Sequence, residues 1–290
     1  MASARELRPR ITSISSTSQI TRAMQMVSAA KMRKAQQATL MTRPFAQLLY
    51  RIQRRAAMHT QDCTHPLLKV REVRKRAVVL ISTDKGLCGA LNSNLFRMAA
   101  QFDPATTVFI TAGKRAAQFI SRTRRQLVAE FSFGDSPRFA DARPIATMAR
   151  ELFLKGEVDE VKVITTQFVN TMSQRAVAVE FLPIGEITGI KVPGAEAEAD
   201  LVSDTSEYLF EPNPEVIFSY LFEGYLNIFI YRALLESKAS EQSARMVAMK
   251  GASDNAAELI EDLTLEYNKL RQGSITNELL EIAGGQMGNE

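Results

Sequence analysis

The feature that most constrains the fold is a pair of long heptad patterns, one at each end of the chain. In the C-terminal part, apolar and small residues recur at alternating steps of three and four. These positions are Met246, Met249, Ser253, Ala256, Ile260, Leu263, Tyr267 and Leu270. A stripe sustained over more than three heptads is typical of a helix that packs along another helix.

The N-terminal part repeats the same spacing. Its stripe comprises Ile20, Met24, Val27, Lys31, Lys34, Ala38, Met41, Phe45, Leu48 and Ile52. Two lysines make this seam imperfect, and Pro44, which lacks an amide donor, is expected to kink the helix or mark a break. Because neither helix could bury its stripe alone, the two patterns predict a long antiparallel two-helix coiled coil.

Charge supports a pairing of the two ends. Residues 1–60 hold eleven Lys and Arg against one acid, Glu6, whereas residues 236–290 hold ten acids and five bases. Residues 195–215 hold seven acids and no base. The opposite signs allow the two ends to attract each other as well as outside partners.

Between the ends, the hydrophobic period becomes that of an α/β domain. β-Branched apolar runs alternate with helical segments, and the last two runs follow each other directly. The predicted strands are 76–82, 106–112, 126–133, 160–169 and 175–184, and the predicted helices are 92–101, 113–121 and 143–156. This order predicts a mostly parallel, Rossmann-like sheet with one antiparallel strand.

Few residues in the sequence indicate a catalytic, metal-binding or nucleotide-binding site. The loop DKGLCGALN after the first strand has neither G-x-G-x-x-G nor Walker spacing, which argues against a nucleotide site. His59, Cys63 and His65 form a conceivable metal cluster, but a solvated polar linker is the better interpretation. Two histidines support no catalytic triad, and no carboxylate pair is marked out as acid and base. We therefore expect no cofactor, no metal and no catalytic residue.

Compartment and membrane signals agree with this interpretation. The N-terminus lacks the apolar core of a secretory signal, and Glu6 with the helical pattern argues against a transit peptide. The unpaired cysteines, Cys63 and Cys88, suit a reducing compartment. The apolar run 216–235 is interrupted by Glu223, Asn227 and Arg232, so we expect it to be buried under the α/β domain and the N-terminal helix rather than to span a membrane.

Several motifs together resemble the gamma subunit of F-type ATP synthases. They are ITRAMQMVSAAKMRKAQ (20–36), ISTDKGLCGALNSN (81–94), FVNTMSQ (168–174), EYLFEPNP (207–214), SEQSARMVAMKGASDNAAELI (240–260) and YNKLRQGSITNELLEI (267–282). They occur in family order along essentially the whole chain. The redox-regulatory insertion of chloroplast members is absent, so the chain is similar to bacterial members.

The resemblance implies a rotor. The two terminal helices would form a shaft inside a ring of alpha and beta subunits, with the α/β domain beside the epsilon subunit and on the membrane c-ring. Proton flow would turn the shaft and bias the conformations of the catalytic sites. The subunit would be non-catalytic and peripheral, at the cytoplasmic face of the bacterial inner membrane. The resemblance divides the chain into a shaft helix at 1–60, an α/β domain at 70–195, and a foot with the second shaft helix at 205–290.

It also implies roles for individual residues. Beta-subunit contact and coupling are expected of Met24, Lys31, Arg33, Lys34, Lys85, Cys88, Arg245, Arg271, Gln272 and Thr276. Tyr208 and Glu211 would lie in the foot on the c-ring and epsilon. Arg271 and Gln272 are the strongest candidates, because a guanidinium fork beside an amide can bind carboxylates and release them stepwise.

Three other functions stay open at this point. A dehydrogenase-like enzyme fits the sheet but lacks the glycine fingerprint of a dinucleotide site. A basic coiled-coil scaffold fits the helices but leaves the shared motifs unexplained. A nucleic-acid-binding protein fits the basic N-terminal part, but that region has only one Phe and one Tyr to stack on bases.

Overall fold

The computed structural model describes residues 4–59, 65–184 and 214–287, and the side chains of most of these. The chain forms five helices and five strands within these ranges. They are α1 (Ala4–His59), β1 (Arg76–Ile81), α2 (Leu91–Ala100), β2 (Thr107–Ala112), α3 (Lys114–Arg122), β3 (Gln126–Phe131), α4 (Phe139–Leu154), β4 (Glu160–Phe168), β5 (Gln174–Leu182) and α5 (Pro214–Met287), with a 3-10 turn at Pro66–Leu68. All five strands and three central helices predicted from the sequence are confirmed to within a few residues.

The sheet has strand order β3-β2-β1-β4-β5. β1 pairs in parallel with β2 and β4, β2 pairs in parallel with β3, and β5 is antiparallel to β4. The mostly parallel, Rossmann-like sheet is therefore confirmed. The connection from β1 to β2 runs through α2 on one face of the sheet, whereas the connection from β3 to β4 runs through α4 on the other face. The loop after β1 therefore starts at the point where the strand order reverses, and α/β proteins usually place their functional loops at such a point.

Alternate residues of β1 enter two apolar cores, one on each face of the sheet. Val78 and Leu80 pack with α2 and α3, whereas Ala77, Val79 and Ile81 pack with α4 and with the first turns of α5. Burial on both faces explains why the parallel strands are continuous apolar runs. It also accounts for the run 216–235, since Phe222, Leu226, Ile230 and Leu234 belong to the second core.

Contacts divide the chain into two compact units. One consists of the chain ends, residues 1–29 and 245–290, and the other of residues 30–244. In the first unit, the Ser18 and Ser253 hydroxyls lie 3.5 Å apart. The predicted antiparallel register, drawn through this contact, would place Arg5 level with Glu266, which agrees with burial along α5 ending at Leu270.

The C-terminal seam is confirmed position by position. Each of its eight predicted residues, from Met246 to Leu270, is buried or half-buried, and Met249 and Ala256 are 5% and 7% exposed. Most residues between these positions from 250 onwards are exposed. The heptad pattern therefore identified the packed face of α5 correctly.

The predicted N-terminal seam is only partly right: Met24, Lys31 and Ala38 are half-buried, but its other positions with described side chains are exposed. Ile20, Val27 and Met41 are 60%, 54% and 81% exposed, and Lys34 is exposed too. The buried face lies one position along the helix and consists of Leu7, Thr21, Ser28, Met32 and Ala35. Small and hydroxyl side chains make up the rest of this face beside Leu7 and Met32, whereas the large apolar Ile20, Val27 and Met41 lie on the outer surface of α1.

Pro44 does not break the helix, since α1 is continuous from Ala4 to His59. The side chains of Phe45, Leu48 and Ile52 lie outside those described. No helix of the described ranges is both long enough and apolar enough to cross a membrane.

Candidate functional site

The loop that follows β1 is the first candidate surface, and hydrogen bonds from one side chain hold it in shape. The amide nitrogen of Asn92, at the start of α2, donates to the Thr83 hydroxyl over 2.8 Å and contacts the Cys88 sulfur at 3.5 Å. The Thr83 hydroxyl donates to the Lys85 carbonyl over 2.6 Å. Asp84 accepts the Lys114 amide at 2.9 Å. The loop is therefore fixed to both α2 and α3.

This loop presents an apolar side chain to the outside. Leu87 has a φ of 62°, a left-handed conformation that costs a residue other than glycine about 1–2 kcal/mol. Its side chain is 61% exposed, whereas that of the neighbouring Cys88 is buried. Of the two predicted contact residues here, Lys85 is exposed and Cys88 lies inside. Leu87 was missed from the sequence, although its position between Gly86 and Gly89 signalled an irregular backbone.

The end of α5 is the second candidate surface. Every residue from Arg271 to Asn277 is exposed, and Ile275 is 45% exposed. The Thr276 hydroxyl donates back to the Gln272 carbonyl over 2.9 Å, as in many exposed helical turns. Arg271, Gln272 and Thr276 are therefore available to a partner, although Gly273 among them weakens the helix by about 1 kcal/mol relative to Ala.

The remaining predicted contact residues are in different environments. Met24 is half-buried, Arg33 and Lys34 are exposed, and Arg245 is 7% exposed. Tyr208 and Glu211 lie outside the described residues.

The metal interpretation of residues 59–65 also falls largely outside the described residues, and the described residues contain no metal-binding cluster. His65 instead caps the 3-10 turn, since its Nδ1 accepts the Leu67 amide at 3.2 Å.

Lys31 has a partner within its own unit. Its ammonium lies 2.6 Å from a carboxylate oxygen of Asp135, in the loop between β3 and α4. The other oxygen of Asp135 lies 3.4 Å from the ammonium of Lys238 on α5. The hydrogen bond from Lys31 is the main cause that lowers the pKa of Asp135, and the charge of Lys238 adds to it. Sequence reasoning missed Asp135 and Lys238, since both lie far from Lys31 along the chain.

A row of hydrogen bonds joins α5 to strand β4 and to the turn between β4 and β5. The Thr165 hydroxyl donates to the Ala233 carbonyl, the Phe168 amide to Glu236, and the Ser243 hydroxyl to the Thr171 carbonyl over 2.8 Å. Burial raises the pKa of Glu236, and the Phe168 hydrogen bond partly offsets this. The helix face at 233–243 is thus matched to the sheet by polar contacts as well as apolar ones.

Comparison with known proteins identifies the family. The family model described as ATP synthase matches residues 3–287. The ATP synthase gamma chain of Opitutus terrae is 42% identical over 99% of this chain and 98% of its own length. That of Acidithiobacillus ferrooxidans is 40% identical over 98% of this chain and 99% of its own.

Solved structures show the same fold. A chain from the central stalk and c-ring of the Tetrahymena thermophila mitochondrial ATP synthase is 27% identical, with a TM-score of 0.61 over 81% of this chain and 99% of that one. A chain from the Euglena gracilis mitochondrial ATP synthase has a TM-score of 0.68 over 98% of this chain and 94% of that one; at 19% identity it supports the fold alone. The protein therefore belongs to the ATP synthase gamma chain family, whose members are rotor subunits of the central stalk.

Proposed function

We propose that this chain couples proton flow through a membrane c-ring to ATP synthesis or hydrolysis in a head of alpha and beta subunits, without contributing a catalytic group. Turning the rotor would change its contacts with each beta subunit. These contacts would bias the conformational equilibria of the three catalytic sites in the head. The proposal includes epsilon as a further partner and the cytoplasmic face of the bacterial inner membrane as the location.

One observation carries this proposal beyond family membership. The C-terminal helix continues for several turns past the last half-buried seam position, Leu270, with its side chains exposed as far as they are described. An isolated scaffold has no need of such an extension, whereas a shaft end that bears on surrounding subunits does. Arg271, Gln272 and Thr276 are the proposed polar contacts of this end.

The loop around Leu87 is the second proposed contact. Leu87 points outwards at the cost of a left-handed backbone, and such strain is common at functional sites; Lys85 beside it suits an acidic beta-subunit surface. The predicted division into a shaft helix at 1–60, an α/β domain at 70–195, and a foot with shaft helix at 205–290 remains part of this proposal. So do the roles of Met24, Arg33, Lys34, Arg245, Tyr208 and Glu211.

The first experiment tests assembly and coupling together. The chain is mixed with alpha and beta subunits, and ATP hydrolysis and complex size are measured. We expect a complex with three copies of each large subunit and altered hydrolysis. If no such complex forms and hydrolysis is unchanged, the rotor proposal fails.

The second experiment tests the shaft end. Arg271→Ala with Gln272→Ala should reduce ATP-driven proton pumping in the assembled enzyme about tenfold or less, in the range for lost charge-assisted hydrogen bonds. The fold should be kept because both side chains are exposed. Arg122→Ala with Gln118→Ala is the matched control, since it removes the same residue types from the exposed face of α3. Equal pumping by both double variants would remove Arg271 and Gln272 from the contact set.

The alternatives from the sequence are not favoured. A free-standing scaffold or a nucleic-acid-binding protein would explain neither the family match along the whole chain nor the shared central-stalk fold.

A further inference from the structure

The carboxylate of Asp135 is bound by ammonium groups from two different long helices. Lys31 on α1 lies 2.6 Å from one of its oxygens, and Lys238 on α5 lies 3.4 Å from the other. Asp135 itself sits in a seven-residue loop, 132–138, between β3 and α4 of the α/β domain. One side chain of the domain thus contacts both helices at once.

The Lys238 end of this cluster is buried. Its side chain is only 4% exposed, and so is that of Glu241, whose carboxylate lies 2.9 Å from the Lys238 ammonium. The same ammonium lies 5.5 Å from the ring centre of Phe133, in the Asp135 loop. Two lysines thus face two carboxylates and one aromatic ring. A buried ammonium needs such partners, because an uncompensated buried charge is strongly destabilising.

The two ion pairs of Asp135 differ in kind. Lys31 and Asp135 are 41% and 50% exposed, so their attraction is screened by water and adds little to the free energy of folding. Their contact does, however, join the 132–138 loop directly to α1. A half-exposed ion pair with a short contact is better suited to positioning the loop than to stabilising the fold.

Both helices extend beyond the unit that contains this cluster, α1 before Ala30 and α5 after Ala244. A domain that transmits torque to two helices must not slip against either of them. The row of hydrogen bonds from β4 and the turn after it holds α5, and Asp135 adds a polar link from the domain to α1.

We propose that Asp135 is a positioning residue for torque transmission, which fixes the β3–α4 loop to Lys31 of α1 and Lys238 of α5 so that both helices turn with the α/β domain. This inference rests on the proposed rotor function. It assigns Lys31 to a contact inside the rotor, in place of a contact with the beta subunit.

The test uses the complete enzyme in sealed vesicles, with ATP hydrolysis and ATP-driven proton pumping measured side by side. Asp135→Asn keeps the shape of the side chain and removes its charge. We expect the ratio of pumping to hydrolysis to fall roughly twofold to tenfold, the range that corresponds to losing one coupled contact. Asp135→Glu should restore part of the ratio. Glu72→Gln is the control, because the Glu72–Arg74 pair is 82% exposed at both residues and joins two positions of the same segment before β1.

A double-mutant cycle separates the two possible roles of Lys31. If Lys31 acts through Asp135, Lys31→Met should lower the ratio, and adding it to Asp135→Asn should cause no further loss. If Lys31 instead acts on a beta subunit, the two losses multiply and the assignment of Lys31 to Asp135 is wrong.

Further outcomes of the Asp135 and Lys31 variants also test the proposal. A normal ratio for Asp135→Asn overturns the proposal, and so does an equal fall in pumping and hydrolysis, which indicates a purely structural role. If Asp135→Asn does not assemble, the cycle is run with Asp135→Glu in its place: no further loss on adding Lys31→Met supports the proposal, and losses that multiply overturn it. Absence of pumping by the unmodified enzyme would contradict the rotor function itself, a failure distinct from all of these.

Discussion

At the scale of single residues, conformation and burial decide which side chains can meet a partner. Cys88 and Leu87 are neighbours in one loop, yet the thiol is buried and bonded by Asn92 while the leucine points outwards in a left-handed conformation. The motif DKGLCG gave the position of this loop but not the direction of its side chains. Strain that is retained at an exposed apolar residue suggests a function for Leu87 rather than for Cys88.

Leu87→Asn tests this. Asparagine tolerates the left-handed conformation, so we expect the free energy of unfolding to change by less than about 1 kcal/mol, while proton pumping by the assembled enzyme falls. Thermal unfolding of the isolated subunit and pumping in vesicles are the two measurements. Leu154→Asn is the control, because Leu154 is 44% exposed at the end of α4. Unimpaired pumping with Leu87→Asn would show that the leucine makes no functional contact.

At the scale of elements, the heptad pattern predicts the buried face of α5 well and that of α1 poorly. On α5 the heptad residues are the buried ones, since Met249 and Ala256 lie inside and Leu259 is 50% exposed. On α1 the buried residues include Ser28 and Ala35, while Ile20 and Val27 are exposed. Where small and hydroxyl residues share the buried face with only a few large ones, large apolar residues such as Ile20 and Val27 remain outside, and a pattern built on them predicts the wrong face.

Substitutions on α5 test the packing of its seam. Met249→Ala should lower the free energy of unfolding by about 2–5 kcal/mol, the usual cost of truncating a buried methionine. Leu259→Ala, on the exposed side of the same helix, should change it by less than about 0.5 kcal/mol. Denaturant unfolding followed by circular dichroism measures both. Equal effects would mean that the seam does not support the fold.

At the scale of the whole molecule, two compact units share two continuous helices. The chain ends form one unit, in which burial along α5 stops at Leu270, and the last turns extend beyond it. The last turns of α5, as far as their side chains are described, therefore make no packing contribution to the fold of this unit. We attribute the rest of α5 to contacts with other subunits.

Truncation separates these two parts of α5. Removing residues 271–290 should leave the thermal unfolding midpoint of the isolated subunit nearly unchanged, because the described side chains from Arg271 onwards are exposed. It should weaken coupling in the assembled enzyme. Removing residues 250–290 also deletes the buried Ala256 and should lower the midpoint clearly. A large loss of stability from the shorter deletion would contradict this division.

The sequence by itself determined the elements, their order, the Rossmann-like sheet, the packed face of α5 and the family. These are properties of local periodicity and of motifs, which neighbouring residues carry. Tertiary structure alone decided which face of α1 is buried, that Leu87 rather than Cys88 is exposed, and that Lys31 meets Asp135. The last pair is separated by 104 positions along the chain. No local pattern encodes such a contact, because it exists only once the sheet and the helices have packed together.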